Sequence, residues 1–176
     1  IMRIISGKYK RKQLKGFNIV GTRPTMDRVK ESMFAMIQNQ ITNSICLDLF
    51  AGSGALGIEA ISMGAKECYF VDNNKEAIKV INDNLKGIKE KTFVLNKDYK
   101  TALKYFKTKQ ITFDLIILDP PYQTQDILSI IKQIDKYNLL KEDGLIIVET
   151  TLELIDYYSC VKTKKIGDKL IKIYKK

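Results

Sequence analysis

The sequence predicts an α/β fold in which a mostly parallel sheet carries helices on both faces. From about residue 45 onward, short apolar runs that suit strands alternate with segments in which apolar residues recur every three or four positions. The chain has 176 residues, which suits one domain with a buried core. No apolar run approaches the roughly 20 residues that cross a bilayer, so we expect no membrane span.

The elements can be assigned in order along the chain. We expect short β-hairpins in the basic first segment, because β-like pieces lie at 3–5 and 17–20 among glycines. Pro24 and Thr25 favour a helix start, and apolar spacing predicts a helix over 26–40. Strands and intervening helices follow, the strands at 45–50, 67–71, 92–95, 113–118 and 145–149 and the helices at 55–63, 75–86, 101–107 and 126–137. Gly167 and Asp168 are typical of a hairpin turn, so we expect one strand on each side of them. These two strands bring the predicted number of strands in the sheet to seven.

Positive charge is concentrated at the two ends of the chain. Thirty Lys and Arg residues face 20 Asp and Glu residues, and this net charge of +10 suggests a polyanionic partner. The lysine drift of an AT-rich genome is the alternative, since only four of the basic residues are arginine, but drift should scatter the charge. The first 26 residues contain no acid, and the last 15 contain seven lysines against Asp168 alone. We therefore divide the chain into a basic extension at 1–25 and a body at 26–176.

The residues that the chain lacks exclude several kinds of site. There is no histidine, which excludes Ser-His-Asp triads, Cys-His dyads and His-ligated zinc. The three cysteines, Cys46, Cys68 and Cys160, are odd in number and have no C-x-x-C spacing. We expect no disulfide framework, no metal site and a location in the reducing cytoplasm.

A glycine-rich loop follows the first strand of the body. Gly52, Gly54 and Gly57 form a G-x-G-x-x-G pattern, and Asp72 ends the next predicted strand. Such glycines let the backbone approach a ligand at the positive end of a helix, and the acid can accept hydrogen bonds from ribose hydroxyls. In the simpler alternative the glycines only make tight turns. Asp48, at the mouth of the loop, would repel a pyrophosphate but suits the ammonium and sulfonium groups of S-adenosylmethionine, which favours methyl transfer over hydride transfer.

The sequence Asp119-Pro120-Pro121-Tyr122 follows the strand predicted at 113–118, at the edge where ligands bind in doubly wound sheets. The exocyclic amine of a nucleobase is a weak nucleophile, and the Asp119 carboxylate and the Pro120 carbonyl could accept its two N–H groups. Tyr122 could stack on the base. A rigid surface turn is the simpler alternative. A C5-pyrimidine methylase is disfavoured, because it would need a cysteine nucleophile near this turn.

Several stretches together resemble the RsmD family of class I S-adenosylmethionine-dependent methyltransferases, namely residues 3–10, 22–25 with 28–31, 48–60 and 119–122. Members of this family methylate the N2 amine of one guanine in bacterial 16S rRNA. The resemblance covers nearly the whole chain and is most specific in the first 60 residues. It implies a Rossmann-like, seven-stranded sheet whose last strand runs antiparallel to the others.

The motifs and the resemblance together assign roles to individual residues. The expected catalytic residues are Asp119, Pro120, Pro121 and Tyr122. The residues expected to hold S-adenosylmethionine are Arg23, Asp48, Phe50, Ala51, Gly52, Ser53, Gly54, Gly57, Asp72, Asn73 and Asp98. The residues expected to contact RNA phosphates are Arg3, Lys8, Lys10, Arg11, Lys12 and Arg23. The implied partner is the 16S rRNA of the small ribosomal subunit, and we expect a monomer.

Three other interpretations remain open at this point. The Asp119–Tyr122 motif alone does not separate guanine N2 from adenine N6 or glutamine N5, so an adenine-N6 methyltransferase of DNA or RNA is the nearest alternative. A second alternative is a catalytically idle RNA-binding or assembly module, against which the intact motif argues. A third is a nicotinamide-dependent dehydrogenase, which would use the same kind of glycine loop.

Overall fold

A computed structural model of the chain describes residues 2–17, 24–120, 127–151 and 157–176. Its helices are α1 (Pro24–Ile41), α2 (Ala55–Ser62), α3 (Lys75–Asn84), α4 (Tyr99–Lys109) and α5 (Ile127–Lys136). Its strands are β1 (Met2–Arg3), β2 (Gln13–Leu14), β3 (Ile45–Asp48), β4 (Glu67–Asp72), β5 (Lys91–Asn96), β6 (Phe113–Leu118), β7 (Leu140–Thr150), β8 (Ser159–Ile166) and β9 (Lys169–Lys175).

The seven strands from β3 to β9 form one sheet in the order β5-β4-β3-β6-β7-β9-β8. The ladders that join β3, β4, β5, β6 and β7 are parallel, and β9 runs antiparallel to both of its neighbours. The strand order reverses between β3 and β6, which places a ligand-binding crevice at the carboxyl ends of these two strands. The predicted Rossmann-like fold class and its antiparallel last strand are confirmed.

The sheet is buried on both faces, which explains why its central strands are almost continuously apolar. A hydrophobic core lies on each face of the sheet, and alternate residues of β6 point into one or the other. Leu115 and Ile117 belong to the first core, and Ile116 and Leu118 belong to the second. Helices α1, α2 and α3 cover the first core, and α4 and α5 cover the second. None of the helices in the described part of the chain is both long enough and apolar enough to cross a membrane.

The basic N-terminal segment packs directly on the body of the fold. β1 and β2 pair antiparallel, with Met2 opposite Leu14, and both side chains are buried in the first core. The Glu59 carboxylate of α2 accepts hydrogen bonds from the backbone N–H groups of Ile5 (3.0 Å) and Ser6 (2.9 Å). Lys30 Nζ lies 3.3 Å from Glu59 Oε1 in a buried ion pair. The segment is therefore fixed to α1 and α2, and a division of the chain at residue 25 stays a prediction.

Several lysines of this segment already have partners within the protein. Lys8 forms an ion pair with Glu90 at 3.2 Å, and Lys15 forms one with Asp83 at 3.0 Å. The Lys12 ammonium donates a hydrogen bond to the carbonyl oxygen of Lys86 at 2.8 Å. Arg3, Lys10 and Arg11 are exposed. Exposed ion pairs of this kind contribute little to stability, so these lysines can still exchange their partners for phosphates.

Gly7 lies directly against the end of α2. Its φ of +85° is in the left-handed region, and an added Cβ would overlap the carbonyl oxygen of Ser62. Gly87 has almost the same φ, +84°, but an added Cβ would meet nothing within 4 Å. We expect Gly87→Ala to lower the free energy of unfolding by about 1 kcal/mol through backbone strain alone. Gly7→Ala should lower it by about 2–4 kcal/mol, because strain and overlap add.

Urea unfolding of both variants checks this difference. The comparison separates the close contact from the backbone strain, since the two glycines have nearly the same φ. Equal losses of stability in the two variants would show that the approach of Gly7 to Ser62 contributes nothing.

Candidate active site

A cleft of about 1200 Å³ opens at the carboxyl ends of the parallel strands. The turn between β8 and β9 and the first half of α1 complete its walls. Eight of the residues predicted for the site line this cleft: Phe50, Ala51, Gly52, Ser53, Asp72, Asn73, Asp98 and Asp119. The fold therefore brings the glycine loop and the first residue of the Asp119–Tyr122 motif into one cavity.

The glycine loop is held in shape by backbone hydrogen bonds. Gly52 and Gly54 have φ values of +56° and +82°, in the region that favours glycine. The Gly52 N–H donates to Asp72 Oδ2 at 2.9 Å, and the Ala51 N–H donates to the Val71 carbonyl at 2.9 Å. Gly54 is the N-cap residue of α2, so the positive end of this helix faces the cleft. The loop has the tight conformation that the sequence predicts.

Gly57 serves a different purpose from the other two glycines. An added Cβ at this position would come within 2.9 Å of the Cys68 sulfur and would overlap the Phe70 ring. Its backbone N–H donates a hydrogen bond to Asp48 Oδ2 at 3.0 Å. Gly57 thus lets α2 pack closely on β4, and its N–H group holds the Asp48 carboxylate in place.

Asp48 lies beneath the loop and is buried, whereas the sequence suggested a side chain at the mouth of the loop. Its Oδ1 atom has no hydrogen-bond partner among the described residues. Burial raises the pKa of Asp48 to about 7, and the nearby Asp72 carboxylate adds to this rise. A buried acceptor without a donor is unusual in a protein interior, and it fits a ligand that brings a positive group to the loop.

The raised pKa of Asp48 predicts that the ligand-free protein loses stability as the pH rises. Between the ordinary pKa of an aspartate and a value of about 7, the folded state holds a proton that the unfolded chain has released. The free energy of unfolding should therefore fall from pH 5 to pH 8, by about 2–3 kcal/mol from Asp48. Asp119, whose pKa is also raised, acts in the same direction.

Asp48→Asn tests this prediction, because the variant keeps an oxygen for the Gly57 N–H but cannot ionise. Urea unfolding at pH 5 and pH 8 should show a smaller difference in stability for the variant than for the native protein. An equal pH dependence in the two proteins would contradict the assignment.

Two further carboxylates, those of Asp72 and Asp98, line the cleft and also accept hydrogen bonds from the backbone next to them. Asp72 Oδ1 accepts a hydrogen bond from the Asn74 N–H at 2.9 Å, in addition to the bond from the loop. Asp98 caps α4, and its carboxylate accepts hydrogen bonds from the Thr101 N–H (3.0 Å) and hydroxyl (2.7 Å), which lower its pKa. The Phe50 and Tyr99 rings also line the cleft and lie 5.5 Å apart, centroid to centroid. The hydrogen bonds give each acid a fixed direction, and both acids line the cleft.

Asp119 follows β6 and lines the cleft. A neighbouring acid, Glu149, also lines the cleft and is not among the residues that the sequence predicts. Lys169, the first residue of β9, lies 3.6 Å from Glu149 through its Nζ atom. Glu149 ends a predicted strand, so the rule that ligands bind at carboxyl ends could have identified it. Nothing in the sequence pattern points to Lys169, because it reaches the cleft only through the pairing of β7 with β9.

The remaining predicted residues lie partly within and partly outside the described ranges. Pro120 is described and directly follows Asp119. Arg23, Pro121 and Tyr122 lie outside the described residues. Their proposed roles stay predictions.

The cleft carries more negative than positive side chains. Among the residues described, its acids are Asp27, Asp72, Asp98, Asp119, Glu149 and Asp168, and its bases are Lys30, Lys97 and Lys169. This balance disfavours a pyrophosphate and favours a cationic ligand. In the described ranges, no group of three or more His, Cys, Asp and Glu side chains has an arrangement that could hold a metal ion.

Comparison with known proteins gives a consistent result. The family model named conserved hypothetical protein 95 matches residues 2–175. The Bacillus subtilis protein YlbH, described as a candidate rRNA methyltransferase, is 43% identical over 87% of this chain and 84% of its own. Ribosomal RNA small subunit methyltransferase D of Haemophilus influenzae is 39% identical over 85% of this chain and 78% of its own. The solved structure of yhhF from Escherichia coli, described as a candidate methyltransferase, covers 99% of this chain and 97% of its own at a TM-score of 0.85 and 28% identity.

Proposed function

We propose a function from the premise that this chain belongs to the RsmD family. The protein transfers a methyl group from S-adenosylmethionine to the N2 amine of one guanine in 16S rRNA. The observation that carries the proposal is the meeting of Asp119 and the glycine loop in one acidic cleft. The substrate would be the RNA of the small ribosomal subunit in the cytoplasm, and the protein would act as a monomer.

The residues of the cleft fit S-adenosylmethionine. The unpaired Oδ1 atom of Asp48 would accept a hydrogen bond from the ammonium of the amino-acid tail, and Asp72 would accept the ribose hydroxyls. Asp98 would receive the adenine amine, with Phe50, Ala51, Ser53 and Asn73 around the cofactor. When bound, the cofactor supplies a methyl group on a positively charged sulfur, which leaves with the electrons of the broken carbon–sulfur bond. No strong base is then required, which agrees with a chain without histidine.

Asp119 and Pro120 would hold the target amine. The Asp119 carboxylate and the Pro120 carbonyl would accept its two N–H groups and turn its lone pair toward the methyl group. Tyr122 would stack on the guanine ring, which is worth about 1–3 kcal/mol per base in comparable complexes. The guanine would have to leave its stack to reach this position.

The basic segment would bind the RNA backbone beside the cleft. Phe17 and Met2 of this segment line the cleft, and the exposed Arg3 directly follows Met2. Arg3, Lys10 and Arg11 would contact phosphates first, and Lys8 and Lys12 would do so after releasing their partners. Binding of this kind weakens steeply with salt.

Deletion of the gene followed by mass spectrometry of rRNA nucleosides tests the substrate. We expect loss of one N2-methylguanosine in 16S rRNA and no change in N6-methyladenosine. Loss of N6-methyladenosine with N2-methylguanosine intact would instead identify the adenine-N6 alternative.

A thermal shift experiment tests the cofactor separately. S-adenosylhomocysteine should raise the Tm of the protein, and NAD should leave it unchanged. A rise with NAD alone would identify the nicotinamide alternative.

A further inference from the structure

The carboxyl groups of Asp119 and Glu149 lie together at one edge of the cleft. β6 and β7 are parallel neighbours, and Leu118 is in register with Val148, so the next residue of each strand brings Asp119 beside Glu149. Neighbouring strands lie about 4.8 Å apart, so the two side chains are within reach of each other. Only 13% of the Glu149 side chain is exposed, and both residues line the cleft. A carboxyl–carboxyl contact of this kind needs a proton between the two groups.

The charges around Asp119 come from three other strands. In the described part of the chain, they are Glu149 of β7, Asp48 of β3 and Lys169 of β9. Loss of water raises the pKa of Asp119 well above its usual range, the Glu149 and Asp48 carboxylates raise it further, and Lys169 opposes them. Lys169 Nζ is 3.6 Å from Glu149 Oε1, and this ion pair fixes the direction of the Glu149 carboxylate. Two carboxyl groups in contact titrate as one unit, with one proton shared over a wide range of pH.

We propose that Asp119 and Glu149 share one proton, that Glu149 is the positioning residue of this carboxyl pair, and that Lys169 holds Glu149 in place. The shared proton directs one Asp119 oxygen toward Glu149 and leaves the other oxygen for the target amine. This inference rests on the proposed function for its chemistry, but the pair itself can be measured without any substrate.

The carboxyl pair also gives the reaction a proton acceptor. When N2 bonds to the methyl carbon, its lone pair becomes the new N–C bond, and the nitrogen carries one surplus proton. That proton passes to the free Asp119 oxygen, so the carboxyl pair becomes doubly protonated and neutral. The pair then releases one proton to water and returns to its starting state. The proton count balances, and no further reactant is needed.

The first measurement follows the side-chain carboxyl carbon of Asp119 by ¹³C NMR during a pH titration. In Glu149→Gln the neighbouring negative charge is gone and an amide N–H faces Asp119, so Asp119 should titrate at least one pH unit lower than in the native protein. The matched control is Glu142→Gln, because Glu142 is on the same strand with 87% of its side chain exposed. The control should titrate like the native protein, and an unchanged Asp119 titration in Glu149→Gln would overturn the proposal.

The second measurement is the pH dependence of kcat with the RNA substrate. The native protein should lose turnover at alkaline pH, where the shared proton leaves and the two carboxylates repel each other. Glu149→Gln should lose this alkaline limb, because its amide donates a hydrogen bond to Asp119 at every pH. Glu149→Ala should lower kcat about tenfold and leave the KM for S-adenosylmethionine unchanged.

The two measurements can fail independently. A shifted Asp119 titration without any RNA methylation would support the carboxyl pair and refute the proposed function. Methylation with identical pH profiles for the native protein and Glu149→Gln would overturn the role of Glu149 and leave the proposed function standing.

Discussion

Asp119→Asn should lower the kcat of methyl transfer by roughly 100- to 1000-fold, the usual effect of removing one group that stabilises a developing charge. The substitution keeps the shape of the side chain but replaces an acceptor oxygen with an amide that repels the target N–H. It also removes the proton acceptor beside Glu149. Binding of S-adenosylhomocysteine should change little, because Asp119 would face the amine rather than the cofactor.

A radiolabelled methyl assay with small subunits measures kcat, and isothermal titration measures binding. Asp143→Asn is the matched control, because Asp143 is an exposed aspartate whose positive φ of +62° an asparagine accepts readily. The control should retain native turnover. Native turnover in Asp119→Asn would mean that this carboxylate does not hold the amine.

Glu59→Ala should have the largest effect on stability, a loss of about 3–5 kcal/mol in the free energy of unfolding. Glu59 is buried, and its carboxylate accepts hydrogen bonds from the backbone N–H groups of Ile5 and Ser6. It also forms an ion pair with Lys30. Without the carboxylate, a buried ammonium loses its counter-charge and two N–H groups lose their acceptor. The N-terminal segment should detach from α2 at the same time.

Urea unfolding and hydrogen exchange of the first 17 residues together measure both effects. Glu76→Ala is a suitable control, because Glu76 forms an exposed ion pair with Lys79 at 3.2 Å, and its loss should cost less than about 1 kcal/mol. If Glu59→Ala were no less stable than this control, the segment would not depend on the buried ion pair.

The sequence predicts the strands best where burial on both faces leaves an uninterrupted apolar run. β6 begins and ends at the predicted residues, because its apolar residues supply both cores. β7 begins at Leu140, well before the predicted 145, since Lys141, Glu142 and Asp143 have the composition of a loop. These polar residues belong to the strand because they lie where its pairing with β6 shifts register. Local composition does not reveal such a shift.

The N-terminal segment shows the limit of local patterns more clearly. The sequence predicts β-like pieces at 3–5 and 17–20, but the strand that pairs with β1 is Gln13–Leu14. This pairing is set by the burial of Ile4 and Leu14 against α1 and α2, which are distant in sequence. The predicted piece at 17–20 extends beyond the described residues.

The sequence brings together the candidate residues that directly follow a strand, and it does not reveal those that join the cleft through the pairing of distant strands. The glycine loop, Asp72 and Asp119 are found from their positions after strands, and they line one cleft. Glu149 and Lys169 join them only through the pairing of β6, β7 and β9. The direction of the Asp48 side chain, buried beneath the loop, also depends on the whole sheet.

Transfer of a labelled methyl group, followed by identification of the modified nucleoside, tests the central claim most directly. The native protein would be given labelled S-adenosylmethionine with small ribosomal subunits, purified 16S rRNA and duplex DNA in parallel. The account predicts label in N2-methylguanosine at a single position of 16S rRNA, in the subunits or in the purified RNA, and none in DNA. Label in N6-methyladenosine, or no transfer to any of the three substrates, would contradict it.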